Sequence, residues 1–217
     1  VLRATVSTGI LAWSYMTAGS TDSHIVVKPF AWHDWLALWA VRLAQLAEHG
    51  ILLDPAAIAK SPQPGVDDEH EWDFHHIDQV YLRGAGNFWL AWYADCPVGY
   101  VGGQDVGGAI ELRRMYVKAS YRRLGVGTAL VEALIAHSHT QGIRAIELWT
   151  AVNGPGRRLY RALGFRETEG PGIEFQDVTA RTGYTPGADE IRMRYRMTTS
   201  PPARDIIHAI IQWATAI

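Results

Sequence analysis

Arg122-Arg123-Leu124-Gly125-Val126-Gly127-Thr128 stands between an apolar run, Ile110 to Val117, and a helix-like run, Thr128 to His139. A strand, a glycine-bearing turn and a helix start, in that order, can hold phosphate. The first helical turn leaves backbone N–H groups without partners inside the helix, and the aligned peptide dipoles favour negative charge there. Glycine lets the backbone approach a ligand closely and adopt dihedrals that other residues resist. The segment therefore points to a phosphate-bearing cofactor gripped through the main chain. The alternative role for the same glycines is tight packing of the helix. Arg113 and Arg114 add to the local positive charge of Arg122 and Arg123, a cluster suited to a small anion.

Other reactive side chains give weaker signals. Asp67 to Asp78 is acidic and carries His70, His75 and His76. Imidazole and carboxylate are metal ligands, but no recognised ligand spacing occurs, so no metal is expected. His75 or His76 could instead line a substrate cleft. Cys96 is the only cysteine, which rules out a disulfide within this sequence and suits a reducing cytoplasm. It sits in Ala94-Asp95-Cys96-Pro97, a turn sequence with no second thiol nearby.

Composition narrows the class. With 217 residues, 48% hydrophobic and 19% charged, the chain can bury a sizeable core and is expected to be ordered. A net charge of -2 demands neither a nucleic acid nor an acidic membrane as partner. No run has the length and apolarity of a membrane span. Residues 1–23 read as a short helix or ordered arm, since Thr5, Ser7, Thr8, Gly9 and Ser14 interrupt their apolar character.

These chemical groups need a frame. His24 to Phe30 reads as a strand rich in β-branched residues, and Trp32 to His49 as a helix whose apolar side is Leu36, Leu38, Trp39, Leu43, Leu46 and Ala47. Ile51 to Ala59 reads as a second short helix. Phe88 to Tyr93, Pro97 to Gln104 and Ala109 to Val117 are strands joined by short turns, which implies an antiparallel meander. The helix from Thr128 and the strand Ile143 to Thr150 complete a parallel crossover. A helix from Pro155 to Leu163 and a strand from Glu190 to Met197 follow. The expected fold is α/β: a mixed central sheet flanked by helices in one domain over residues 24–200. After Pro201-Pro202, residues 203–217 make an apolar helix that packs on the parent domain or on a second copy in a homodimer.

With this organisation the chain resembles the GNAT superfamily of acetyl-CoA-dependent N-acyltransferases. The resemblance runs through Glu111-Leu112-Arg113-Arg114-Met115-Tyr116-Val117, the Arg122 to Gly127 turn, Trp149-Thr150-Ala151-Val152-Asn153 and Leu159-Tyr160-Arg161-Ala162-Leu163-Gly164-Phe165. It covers most of the chain and leaves out the first 23 residues and the tail. It implies that main-chain groups near Met115, Tyr116 and Val117 pair with the pantetheine arm of acetyl-CoA. Amides across Arg123, Leu124, Gly125, Val126, Gly127 and Thr128 would cradle the pyrophosphate, with Arg122 and Arg123 adding charge. The resemblance also implies a gap between the central strands that admits the cofactor arm. Asn153 matches a residue that contacts this arm, although an Asx turn or helix cap is its plain role.

The resemblance assigns Tyr160 as general acid toward the departing thiolate, against a plain role in aromatic packing. Glu111 is the first candidate base; a normal Glu, with pKa near about 4.3, is a weak base for an ammonium unless burial raises it. His75, His76, Glu69, Tyr116 or a water chain could share that work. Trp72, Phe74, Trp89, Trp92 and Tyr184 are candidates to line the acceptor pocket, together with His75 and His76. The implied function is direct acetyl transfer from acetyl-CoA to a small primary amine or amino-acid derivative in the cytoplasm. A catalytically idle CoA-binding domain, or a related enzyme with another acyl donor or acceptor, is the alternative.

Overall fold

Two periodicities, alternating strands and helices with one apolar stripe, build a nine-stranded sheet covered on both sides. The computed structural model describes residues 25–50, 71–168 and 187–197, and the backbone alone of 2–7 and 10–15. The short helix read at Ile51–Ala59, Glu69, His70, Tyr184 and the apolar helix at 203–217 lie outside the described residues.

The strands are β1 (Leu2–Ser7), β2 (Ile10–Tyr15), β3 (Ile25–Pro29), β4 (Asn87–Tyr93), β5 (Cys96–Asp105), β6 (Ile110–Val117), β7 (Ala145–Ala151), β8 (Arg166–Glu167) and β9 (Glu190–Arg196). They pair in the order β1-β2-β3-β4-β5-β6-β7-β9-β8. Only β6 and β7 run parallel; the other neighbours are antiparallel. The helices are α1 (Trp35–Glu48), α2 (Trp72–His75), α3 (Ile77–Val80), α4 (Val126–Thr140) and α5 (Pro155–Ala162). The antiparallel meander β4-β5-β6 and the parallel crossover β6-α4-β7 agree with the sequence reading. The N-terminal stretch, read as a short helix or an ordered arm, has a backbone that pairs as strands, Leu2↔Tyr15 through Ser7↔Ile10, in place of the helix. Thr5, Val6, Ile10 and Tyr15 are strand-favouring types, which accounts for the difference.

One sheet face packs on α4 and α5 through Val27, Val101, Ile110, Leu112, Ile146, Leu148, Leu130 and Leu134. The opposite face packs on α1, α2 and α3 through Phe88, Leu90, Tyr100, Leu38, Phe74 and Tyr81. Each such fully buried side chain stabilises the fold by roughly 1.5–3 kcal/mol relative to exposure. Gly102 is required by this packing, because a Cβ there would lie 2.6 Å from the Tyr81 ring. The α1 face is rotated from the one read in the sequence. Trp35, Leu38, Val41, Arg42 and Leu46 are buried, while Leu36 is 68% exposed.

Arg42 is buried because it has partners. It pairs with Glu71 and donates from Nη1 to Gln45 Oε1 at 2.6 Å. One residue pair along, Arg114 donates to both carboxylate oxygens of Asp73 at 2.7 Å, and the Tyr81 hydroxyl donates to Asp73 Oδ2 at 2.7 Å. Phe74 lies between the two guanidiniums, 5.2 Å from Arg42 and 5.0 Å from Arg114. Burial alone would raise the Asp73 pKa, but Arg114 and Tyr81 more than offset it and hold it low. The acidic segment that suggested metal ligands is here an ion-pair staple joining α2 to β6.

Asp73→Ala is expected to cost about 3–5 kcal/mol, because it strands the Arg114 guanidinium against the core. Urea unfolding at neutral pH measures this. The lowered Asp73 pKa makes its contribution complete above the unfolded-state value of about 3.9 and lost as pH falls through the lower folded-state value. The stabilities of the two proteins should therefore converge in acid.

Candidate active site

The candidate site begins where the sheet comes apart. β6 and β7 pair at only two positions, Ile110↔Ile146 and Glu111↔Glu147. Beyond Glu111 the ladder between them ends, although β6 continues to Val117 and β7 to Ala151. The cause is local to β6. Tyr100 pairs with Tyr116 and Gly102 with Arg113, so three steps on β6 oppose two on β5. This is a β-bulge, which bends and twists the strand that carries it. Arg114 sits in it at φ +51°, a left-handed conformation that a non-glycine residue rarely takes. The ion pair with Asp73 holds Arg114 there. The edge of β6 that faces β7 is thus left with main-chain groups outside the ladder.

The glycine turn lies downstream of this opening. After β6 come a 3-10 turn, Ala119–Tyr121, and then α4. Arg123 has φ +66° and Gly125 has φ +92°. No side chain caps α4, and its first backbone bond runs from Ala129 N–H to Gly125 O at 3.0 Å. Among the described residues, none of the amides from Arg123 to Thr128 donates to a protein acceptor. Such a row of free amides at a helix entrance is an anion nest.

Arg122 has a different position from the one its charge suggested. Its amide donates to Ala119 O at 3.2 Å. Its guanidinium donates to Val117 O at 3.0 Å and to Glu48 Oε2 at 2.8 Å. The Tyr116 hydroxyl donates to the same Glu48 oxygen at 2.8 Å, which lowers the Glu48 pKa. Burial and this bond push Tyr116 up to about 12. Arg122 and Tyr116 therefore tie the turn to the end of α1; Glu48, which the sequence reading missed, is the shared anchor. Arg123 is exposed.

Tyr160 is only 5% exposed, and its ring packs at a tilt 5.6 Å from Phe165 on the α4/α5 face. Its hydroxyl makes no hydrogen bond to a described residue, and burial raises its pKa. Asn153 follows β7 and lines a shallow cleft with Gly154, Arg157, Arg158 and Arg161. Asn153 does not cap the helix: the N-cap of α5 is Gly154, and no side chain caps it.

Glu111 occupies the last paired position before the split and is 3% exposed. Its Oε2 has no hydrogen-bond partner, and Oε1 is 3.9 Å from Arg113 Nε. Burial pushes its carboxyl up to about 7, with Arg113 pulling the other way. The condition that the sequence could not supply for a basic carboxylate is met. Glu147 lies alongside on β7, also buried, with Arg194 on Oε1. It was missed because its alternation with Ile146 and Leu148 reads as an ordinary polar strand face.

Of the other pocket candidates, Trp72, Phe74 and Trp92 gather on the α1/α2 side of the sheet and Trp89 lies on the opposite side. Trp89 belongs to the α4 face, 5.3 Å from the His137 ring. His75 packs on Trp35 and Trp39, and Trp72 stacks on His76 at 4.4 Å, on the α1/α2 side. Phe74 is core between two arginines. Among the described residues no group of three metal-ligating side chains occurs.

A split parallel strand pair beside a glycine turn is the arrangement of acetyl-CoA-dependent acyltransferases. The model of the GNAT acetyltransferase family matches residues 52–165, just over half the chain, and the chain belongs to that family. An N-acetylaspartate synthetase of Danio rerio is 35% identical over 104 residues, covering 45% of this chain and 37% of that protein. An uncharacterized N-acetyltransferase of Methanocaldococcus jannaschii is 30% identical over 78 residues, 36% of this chain and 34% of its own. The chain thus spans about a third of the length of these relatives. Among solved structures, a GNAT acetyltransferase from Staphylococcus aureus superposes with a TM-score of 0.61 at 23% identity, covering 80% of this chain and 99% of its own. An N-acetyltransferase from Thermoplasma acidophilum, solved with coenzyme A, gives 0.54 at 15% identity over 80% and 99%. These likenesses establish the fold.

Gly125→Ala should destabilise the protein by about 1–2 kcal/mol, since the left-handed backbone is retained with a Cβ on it. Gly127→Ala should cost less: its Cβ would meet side chains that can shift, Leu159 at 3.2 Å and Met115 at 3.4 Å. Urea midpoints of the two variants test this order.

Proposed function

We propose that the protein transfers acetyl from acetyl-CoA to a primary amine by direct attack. The observation that carries the proposal is the uninterrupted row of free amides from Arg123 to Thr128, set just beyond a strand pair that separates after Glu111. A diphosphate matches the amide row, and an amide-bearing pantetheine arm matches the stretch of β6 beyond Glu111, which forms no ladder with β7. Met115, Tyr116 and Val117 belong to that stretch, and Asn153 follows the end of β7. The thioester supplies the activated acyl group.

The chain's own residues do the rest. Glu111, whose carboxyl burial pushes up to about 7, accepts a proton from the amine. A main-chain amide near Val117 meets negative charge developing on the carbonyl oxygen. Tyr160, which burial keeps protonated, donates to the sulfur as the C–S bond breaks. Holding the reacting atoms together in one cleft favours the reaction through positioning.

The name of the Danio rerio relative, an N-acetylaspartate synthetase, points to an amino-acid acceptor for that protein. Here Arg113 lies beside Glu111, with Nη1 on Gln104 Oε1 at 3.1 Å. A cation next to the base supports an acceptor that carries a carboxylate near its amine. The test is acetyl transfer across chemically diverse amines, with products identified by mass; binding of coenzyme A without any acetylated product would overturn the proposal.

Two further outcomes are expected. Tyr160→Phe keeps coenzyme A binding and lowers kcat by about 10²-fold. In the wild type, kcat/KM rises with pH and levels off above about 7, as the Glu111 carboxyl loses its proton. Glu111→Gln removes this limb, which a pH–rate profile of both proteins will show.

A further inference from the structure

Glu111 and Glu147 are in-register neighbours on parallel strands, so both side chains rise from the same face of the sheet. They are 3% and 1% exposed. Arg194 engages Oε1 of Glu147, whereas the Arg113 guanidinium comes only within 3.9 Å of Oε1 of Glu111. Each also has one oxygen, Oε2 in both cases, buried without any hydrogen-bond partner. A buried carboxylate oxygen without a donor is costly, and native structures rarely leave one unexplained. Here two stand side by side at the last rung before β6 and β7 separate.

We propose that Glu147 is a second acceptor-binding residue, and that Glu111 and Glu147 together receive the acceptor as a primary ammonium. The inference rests on the acetyl-transfer reading above and specifies its acceptor. An ammonium carries three N–H donors, enough for both vacant oxygens with one to spare. A hydroxyl carries one donor and no charge, so it leaves one of the two oxygens stranded. Arg194 holds Glu147 by Oε1 and keeps its charge in place, while Glu111, lacking so close a cation, is the partner free to take the proton. The pair thus divides the work: Glu147 binds, and Glu111 binds and deprotonates. The vacant oxygens also account for selection of amines over alcohols at a site whose cofactor chemistry would serve either.

The test uses matched acceptors, phenylethylamine with 2-phenylethanol and L-aspartate with L-malate, with acetyl-CoA as donor. The wild type is expected to acetylate an amine and neither alcohol. Glu147→Gln should raise the amine KM at least tenfold, leaving kcat and the acetyl-CoA KM within about twofold. Glu111→Gln should instead lower kcat. Because the first change leaves Arg194 without its carboxylate, the paired variant Glu147→Gln/Arg194→Gln is measured too and should show the same KM increase. An unchanged amine KM in either folded Glu147 variant, or alcohol acetylation equal to that of the amine, overturns the role of Glu147 while leaving acetyl transfer standing. Acetylation of no amine by a wild-type protein that binds coenzyme A overturns the functional reading, and this assignment with it.

Discussion

The short ladder between β6 and β7 is the constraint on which the site depends. Two paired positions bind the strands at one end, and the bulge at Arg114 turns β6 away before a third can form. A sheet ordinarily satisfies its main-chain groups by pairing along its length. Here the fold gives up part of that pairing and gains an edge inside the sheet. The glycine turn follows β6 after one short 3-10 turn, so the amides at the start of α4 and the part of β6 without a ladder to β7 are close neighbours along the chain. Neither would form a site without the other.

A strained bulge persists only if its surroundings hold it. The supports lie on the α1/α2 side. Asp73 closes both oxygens on Arg114, Tyr81 closes on Asp73, and Phe74 fills the space between Arg114 and Arg42. A second tether, Glu48 with Arg122 and Tyr116, fixes the far end of the same strand and the turn after it. The helices opposite α4 thus shape the opening from behind. Charge is distributed accordingly. The two carboxylate oxygens of Asp73 are fully engaged, whereas Glu111 and Glu147 each keep one oxygen without a donor. A low-dielectric setting makes the first arrangement rigid and the second receptive.

Much of the frame was legible from residue order. The glycine turn marked the start of α4, the short turns marked the meander, and Pro155 and Gly164 bracketed α5. These are local signals, carried by backbone conformation and by periodicity. Residues whose meaning depends on what lies across the fold were read less well. Leu36 was counted on the apolar side of α1, yet it is exposed, while Arg42 is buried where Glu71 meets it. Arg122 looked like a phosphate ligand, yet Glu48 and Val117 take its guanidinium. Trp89 and His75 looked like walls of one pocket, yet they belong to opposite faces of the sheet.

The sequence by itself determined the order of the elements from β3 through β7, the glycine turn before α4 and the family to which the chain belongs, because these rest on spacing along the backbone. The tertiary structure decided which charged groups are buried and which neighbours they meet. A Glu at position 111 is an ordinary carboxylate in the sequence. It becomes a group titrating near 7 only when the sheet and its coverings exclude water from it, and it gains Glu147 as a neighbour only through the register of two strands more than thirty residues apart. Desolvation and register are properties of the assembled sheet, and no local pattern encodes either.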